Sequence, residues 1–366
     1  MRAGKSLQEM AAELDRQAKS KRDFVASTQK LSMQPDGSTL LIHGNGELKA
    51  AFEESSQTGI GDFAINKHCH QQIGDRLGIP KKYYDRMRNE SPQLLATNVN
   101  HWFQQTPEER MVRTLDGKAR AFLSRRYRPL DNYDLSNAVF EKLIDADCKV
   151  ETAELTEVRM YIQAISFKVE GEVKKGDVVR AGVVISNSEV GAGAVRIEPL
   201  ILRLVCMNGM IAADHSLRKY HVGRVNKGFE LDGAAEFFRD ETRQQDDKAF
   251  YMKVQDLVKA ALEQVTFDKI LESMRAAADR QIESADLQKV VEVTQQQFRL
   301  TDTERGSVLK HLIQGGELSQ YGLANAITAT ANDHEDYDRA VDLERFGGQV
   351  IELPQKDWKL ISTAAA

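Results

Sequence analysis

The stretch Lys118 to Asp134, KARAFLSRRYRPLDNYD, holds the densest set of side chains able to grip a charged partner. It reads as a strand running into a proline-led turn. Strand side chains alternate between faces, which places Lys118, Arg120, Phe122, Ser124, Arg126 and Arg128 on one side. Ala119, Ala121, Leu123, Arg125 and Tyr127 fall on the other. A face of cations with a ring among them suits an extended polyanion, because phosphates need cations and unstacked bases need rings. The bland alternative is the polar outer face of an ordinary antiparallel sheet. A second basic stretch follows downstream, with His215, Arg218, Lys219, His221, Arg224 and Lys227 around Tyr220.

Other candidate groups carry weaker signals. Arg203 shares a strand face with Val195, Ile197, Ile201 and Val205. A charge there must find a partner, a glutamate for instance, or leave the core for a phosphate or a subunit contact. Cys206 precedes Asn208-Gly209, a tight-turn pair, and reads as a packed thiol at a strand end. Its reading as a nucleophile would need a nearby base, and no spacing fixes His215 or His221 beside it. His68-Cys69-His70 lies in a helical stretch. Side chains at i and i+2 of a regular helix diverge, so a shared metal is not expected. Asp131, Asp134 and Glu189 are scattered carboxylates with turn and capping roles. No spacing assembles them into the acidic cluster that a nuclease needs.

The whole chain sets bounds on these readings. Its 366 residues suffice for two domains, or one with a large appendage, and 41% hydrophobic with 29% charged residues can fill and cover a core. The formal net charge of -5 means that any polyanion site is a local patch on an acidic body. Cys69, Cys148 and Cys206 are odd in number and far apart, which fits free thiols in a reducing compartment. The first thirty residues are charged, so no signal peptide is expected. No apolar run approaches the roughly 20 residues of a membrane span. These features point to a cytoplasmic protein, with no cofactor and no metal implied.

The elements that must position these groups follow from periodicity and punctuation. Leu7, Met10, Ala11 and Leu14 mark an amphipathic helix within residues 1–30, able to dock on the body or on a neighbouring subunit in a homo-oligomer. Residues 39–54 read as a hairpin about Gly44-Asn45-Gly46. Phe63 to Ile65 forms a short strand. A helix over 67–76 ends at Gly78, and Pro80 opens another. A helix follows Asp131 to Asp134, and strands at about 156–169, 178–187 and 195–206 suggest an antiparallel meander. From Gly233 the pattern turns helical, with Phe250, Val254, Leu257 and Val258 on one face, an interruption near Thr266, and a capping box at Thr301 to Glu304. The expected fold class is α+β: an antiparallel sheet with flanking helices and a C-terminal helical unit. The expected divisions are an arm over 1–37, a core over 38–230, the helical unit over 231–353 and a loosely ordered tail over 354–366.

Four runs together carry a family resemblance: IPKKYYDRM, ARAFLSRRYRPLDNYDL, VVISNSEVGAGAVRIEPLILRLVCMNGM and YGLANAITATANDHEDYDRAVDLERFGGQV. Across roughly residues 40–350 the chain resembles the phage/plasmid-like family that carries domain of unknown function 932. The resemblance implies a home in mobile elements, many of whose accessory proteins anneal, recombine or protect DNA. A basic strand in a sheet with adjacent helices is similar in architecture to single-strand annealing proteins. On that reading Lys118, Arg120, Arg126 and Arg128 hold phosphates and Phe122 stacks a base. Arg203, Arg218, Lys219 and Arg224 extend the track, and the partner is nucleic acid, single-stranded DNA in particular. The competing classes are a non-enzymatic protein that binds a host factor and a DNA-processing enzyme.

Overall fold

The computed structural model describes residues 4–43, 61–127, 130–212, 217–218 and 240–364. The chain enters through α1 (Leu7–Ser20), closed at its start by a reciprocal capping box between Ser6 and Glu9. It then contributes β1 (Arg22–Ser27), β2 (Leu31–Met33), β3 (Thr39–Ile42) and β4 (Gly61–Ile65). With β5 (Glu109–Leu115) and β6 (Lys118–Ser124) these form an N-terminal sheet in the order β1-β5-β6-β4-β3-β2. Its pairs are antiparallel except β4 against β6. Three helices cover one side: α2 (Lys67–Arg76), α3 (Lys81–Glu90) and α4 (Pro92–Gln105). Leu95, Val99 and Phe103 of α4 bury against Leu31, Leu40, Val112 and Phe122. Gly78, at a φ of +66°, lets the chain leave α2 in the left-handed region, and Pro80 presets the entry to α3.

The central sheet is the expected antiparallel meander. Its strands are β7 (Cys148–Leu155), β8 (Met160–Glu172), β9 (Val178–Asn187), β10 (Arg196–Arg203) and β11 (Asn208–Ile211), and β12 (Leu217–Arg218) pairs with the start of β10. On one face α1, α5 (Asn132–Asp145) and α6 (Asp240–Ala261) pack Leu14, Val139, Leu143, Val254 and Val258 onto Ile162, Ala164, Val183 and Ile185. On the opposite face lies α11 (Tyr337–Ile351), whose Val341 meets Tyr161, Val184 and Leu200. The remaining helices are α7 (Gln264–Asp279), α8 (Leu287–Phe298), α9 (Asp302–Gly315), α10 (Gln320–Asn332) and α12 (Gln355–Ser362). They join α11 in a core that also takes Val179, Ala181, Ile201 and Met210 from the sheet. The protein is α+β, with a C-terminal helical region built onto the meander. No helix among the described residues is long and apolar enough to cross a membrane.

The seam between α11 and the central sheet is polar as well as apolar. Tyr161 Oη donates to Asp338 Oδ1 at 2.7 Å, Gln163 Nε2 to Glu344 Oε2 at 2.8 Å, and Arg345 Nη2 to Glu198 Oε2 at 2.7 Å. Gly348 makes this approach possible: a Cβ there would lie 1.9 Å from the carbonyl oxygen of Ile211.

Several elements depart from the sequence expectation. The first helix stops at Ser20, and residues 22–33, expected in an N-terminal arm, supply two strands of a sheet. Thr39–Ile42 pairs with β2 and β4, while the Gly44-Asn45-Gly46 turn and its return strand lie outside the described residues. The strand expected from 156 begins at Met160, after a turn in which Thr156 N donates to the carbonyl of Arg159. The turn near Cys206 comes before Asn208-Gly209, with Met207 at a φ of +52°, and Asn208 and Gly209 already pair with β10. Cys206 is exposed in that turn, not packed. The segment expected as a loose tail forms α12, whose Trp358 is 4% exposed and whose Ile361 is sealed.

Two outcomes follow from these shared cores. Replacing Trp358 by alanine should cost about 3–5 kcal/mol in chemical denaturation, the range for emptying a large aromatic site. A fragment of residues 240–366 alone should lack a cooperative thermal transition, because its helices have lost the sheet residues that complete their cores. A sharp transition with native helical content in that fragment would show that the helices stand alone.

Candidate functional site

The basic strand is present, but its faces are not those of a regular pleat. The β5–β6 register shifts between Arg113 and Thr114, so Arg113 stands opposite Ala121 and Thr114 opposite Ala119. A bulge of this kind breaks the alternation of side chains. Ala119 and Phe122, three residues apart, consequently enter the same core. Phe122 is 3% exposed, stacks on Phe103 with ring centroids 5.7 Å apart, and carries the Arg110 guanidinium 5.6 Å from its own centroid. It is therefore a core residue, unable to stack a base without unfolding. Arg120 is 8% exposed and paired with Glu189. Lys118 and Arg126 are exposed, and Arg128 lies outside the described residues.

Arg120 belongs to a buried charge cluster at the junction of the two sheets. Glu189, in the 188–195 loop that joins β9 to β10, accepts from Lys21 Nζ at 2.8 Å and from the backbone N–H of Asn132 at 2.7 Å. Lys21 also reaches Asp131 at 3.1 Å. Arg113, with no exposed side-chain surface, pairs with Asp23 at 2.9 Å and Asp131 at 2.8 Å, and donates to the carbonyl of Glu189 at 2.9 Å. Three cations thus meet three carboxylates, drawn from the end of α1, from β1, β5 and β6, from the start of α5, and from the loop. Removing such charges from water is costly unless each is paired.

The loop is also held along its length through its backbone carbonyls. Tyr127 Oη donates to Ser188 O at 3.1 Å, Gln72 Nε2 to Val190 O at 2.8 Å, and Arg159 Nη2 to Ala192 O at 2.6 Å. His68 Nε2 lies 3.0 Å from the same Val190 oxygen. Asn187, just before the loop, donates to Leu130 O and Asn132 Oδ1 at 2.7 and 2.8 Å. Burial alone would raise the Glu189 carboxyl, but Arg120, Lys21 and Arg113 outweigh it and bring the group down to about 2. Burial pulls Arg113 down while Asp23 and Asp131 push it up, with a net rise. A carboxylate this acidic is a poor proton acceptor near neutrality. The cluster is built as a clamp, with its cations occupied.

The other sequence candidates separate. Asp131 and Glu189 do come together, yet Lys21 sits between them, and Asp134 is exposed on α5. Among the described residues no group of three or more His, Cys, Asp or Glu is placed to hold a metal ion. Cys69 is sealed in the N-terminal core, while His68 and His70 turn to Val190 and to Tyr84. Arg203 pairs with Asp177 at 2.6 Å, an aspartate in place of the expected glutamate, and lies 5.6 Å over the Tyr321 ring. Tyr321 Oη in turn donates to Asp177 at 2.9 Å, so Arg203 ties the sheet to α10. Arg218 stands opposite Arg196 on the β12–β10 pair, and Lys219 and Arg224 lie outside the described residues. Lys21, Asp23 and Arg113 belong to no motif and carry no signal in the sequence.

The first basic stretch borders the 188–195 loop, and of the second only Leu217–Arg218 is among the described residues. The loop leans on the first at Gly191, where a Cβ would come within 2.7 Å of Leu123 and 3.9 Å of Tyr127. It runs directly into β10, whose first residues pair with the second stretch at Leu217–Arg218. Arg125 and Arg126 are exposed at the end of β6, and Arg125 is paired with Glu109.

Glu189→Gln should destabilise the protein by about 3–5 kcal/mol, the range for breaking a buried ion pair from one side. A depressed carboxyl contributes stability above its unfolded value of about 4.3 and loses it as pH falls through the folded value. The difference between the wild type and Glu189→Gln should therefore shrink as pH falls toward about 2, read from urea midpoints across that window. A constant difference would place the effect outside this carboxylate.

Comparison with known proteins adds one assignment. A family model described as domain of unknown function (DUF932) matches residues 120–346, from Arg120 in β6 to Phe346 in α11. No curated protein matches the chain. No solved structure matches it either. The matched span includes Arg120, Asp131, Glu189, Glu198 and Arg345, and exceeds half of the chain: this protein belongs to the DUF932 family.

Proposed function

We propose that the protein binds nucleic acid along the edge bordering the 188–195 loop, as a cytoplasmic accessory of phage or plasmid DNA metabolism in single-strand annealing, recombination or DNA protection. The observation that carries this reading is that one loop touches the first basic stretch at Tyr127 and leads into the strand whose first residues pair with Leu217–Arg218 of the second. Exposed Arg125 and Arg126 supply phosphate contacts from the first stretch, and Arg218 and Lys219 supply them from the second. Arg120, Phe122 and Arg203 support the fold and take no part in contact. The mobile-element setting rests on the family resemblance of the sequence. Single-stranded nucleic acid is the favoured substrate because a track of cations can follow one backbone without matching a duplex groove.

A second reading, a non-enzymatic protein that binds a host factor, draws on the neutralised charges of the N-terminal sheet. Arg76 and Arg110 share Glu108, Arg125 holds Glu109, and Arg16 pairs with Asp116 at 2.8 Å. Such an edge attracts a polyanion less than its arginine content suggests.

Mobility shifts with single-stranded oligonucleotides separate the two. If four phosphates are neutralised, log affinity should fall with log salt at a slope of roughly -3, about 0.7 per contact. Arg126→Glu should weaken binding and flatten the slope by about 0.7 or more. Glu109→Gln should strengthen binding, because it removes one competitor for the Arg125 guanidinium. Arg120→Glu should instead lower thermal stability. Failure to bind any oligonucleotide at low salt would discard the nucleic-acid reading and leave the host-factor reading.

A further inference from the structure

The groove between α2 and α3 is lined by residues other than those that hold the 188–195 loop, and it contains polar groups that the fold does not use. The two helices touch at Gly74, where a Cβ would come within 2.9 Å of the Tyr84 ring. Beside that contact is a cavity of about 190 Å³. Its floor is His70, 4% exposed, with Nδ1 2.9 Å from Tyr84 Oη and the two rings edge to face. His70 Nε2 has no hydrogen-bond partner among the described residues and is not sealed from the cavity. The lining also includes Lys67, Lys81 and Arg88, and the carboxylates Asp75 and Asp85. None of these five makes an ion pair among the described residues, although charged neighbours elsewhere on the surface commonly do. At the start of α3, Pro80 offers no side-chain cap, and the first amide of the helix has no acceptor among the described residues.

We infer that this groove is a binding site for a phosphate monoester carried on a sugar. Three cations, a helix amide and an imidazole nitrogen surround a space suited to a small anion with several acceptor oxygens. Lys67, Arg88 and Lys81 supply the charge. With Tyr84 donating its hydroxyl hydrogen to Nδ1, His70 presents Nε2–H to the ligand. Asp75 and Asp85 are the acceptors for the hydroxyl groups of the sugar. The site does not depend on the proposed nucleic-acid edge, and no residue is shared between them. A free nucleotide and the 5′ end of a nucleic-acid strand present the same chemistry.

His70 provides the readout. Burial, with Arg88, holds its imidazole down to about 4, while Asp85 and Asp36 pull the other way. Those groups, Tyr84 and Lys67 are the ones to consider around the ring. The full chain, labelled at histidine and assigned with His70→Gln, is titrated by NMR with inorganic phosphate, then with a nucleoside 5′-monophosphate. Both ligands should shift the His70 ring signals and raise its apparent pKa. Arg88→Glu should weaken binding about tenfold or more, while Arg88→Lys retains it in part, as expected on reversing or keeping a charge beside the anion. Lys67→Glu, on an exposed side chain, gives a second reversal should Arg88→Glu disturb the fold by circular dichroism. Displacement of the nucleotide by a 5′-phosphorylated oligonucleotide, and not by its 5′-hydroxyl counterpart, supports the site with a strand end as its ligand. Binding of the nucleotide without displacement by either supports it with a free metabolite. No change at His70 with either phosphate, or a change that persists in both charge reversals, overturns the site.

Discussion

A carboxylate buried where the two sheets meet sets the strongest constraint on this structure. Glu189 can remain ionised there only while Lys21, Arg113 and Arg120 surround its loop, and those three come from the end of the first helix and from two strands of the other sheet. Each cation also needs its own share of negative charge, which Asp23 and Asp131 provide. Loss of any one member leaves an uncompensated charge in a poorly solvated place. The first twenty-odd residues, the N-terminal sheet, the start of α5 and the loop after β9 are therefore bound into one arrangement by charge balance, over and above their apolar packing.

Polar contacts recur where α11 and α10 meet the central sheet. The pairs Glu198–Arg345, Gln163–Glu344 and Asp177–Tyr321 sit between surfaces that are otherwise aliphatic. Apolar packing supplies most of the stabilisation at such layers, but it tolerates sliding. Directional bonds between fixed positions select one placement of the helix on the strands. The chain thus uses apolar cores for cohesion and a few buried polar pairs for register.

Local signals in the sequence carried much of the architecture. The Thr301 capping box, the Gly78 exit and the strands that become β9 and β10 depend on neighbours in sequence, and each forms as expected. The basic strand is legible too, but its faces are not, because alternation presumes an unbroken pleat and β6 itself bulges at Arg120, between the residues opposite Arg113 and Thr114. Phe122 consequently turned from a surface ring into a core one. Asp131 and Glu189 looked scattered because the cations that join them, Lys21 and Arg113, belong to segments with no motif of their own. The parallel β4–β6 pair and the buried Trp358 are likewise consequences of tertiary packing, invisible to propensity.

Gly348 has a bearing on how α11 tolerates change. At this point the helix backbone rests directly on the carbonyl of Ile211, so the distance between helix and strand is set by main-chain atoms alone. Glu344 and Arg345, about one turn earlier, reach their partners from that height. A methyl group at 348 would act as a shim: it would lift the helix off its seat and lengthen the Glu344 and Arg345 contacts together. A neutral substitution carrying no charge and filling no cavity would then register as the loss of two buried polar links, felt across the sheet from where it was made.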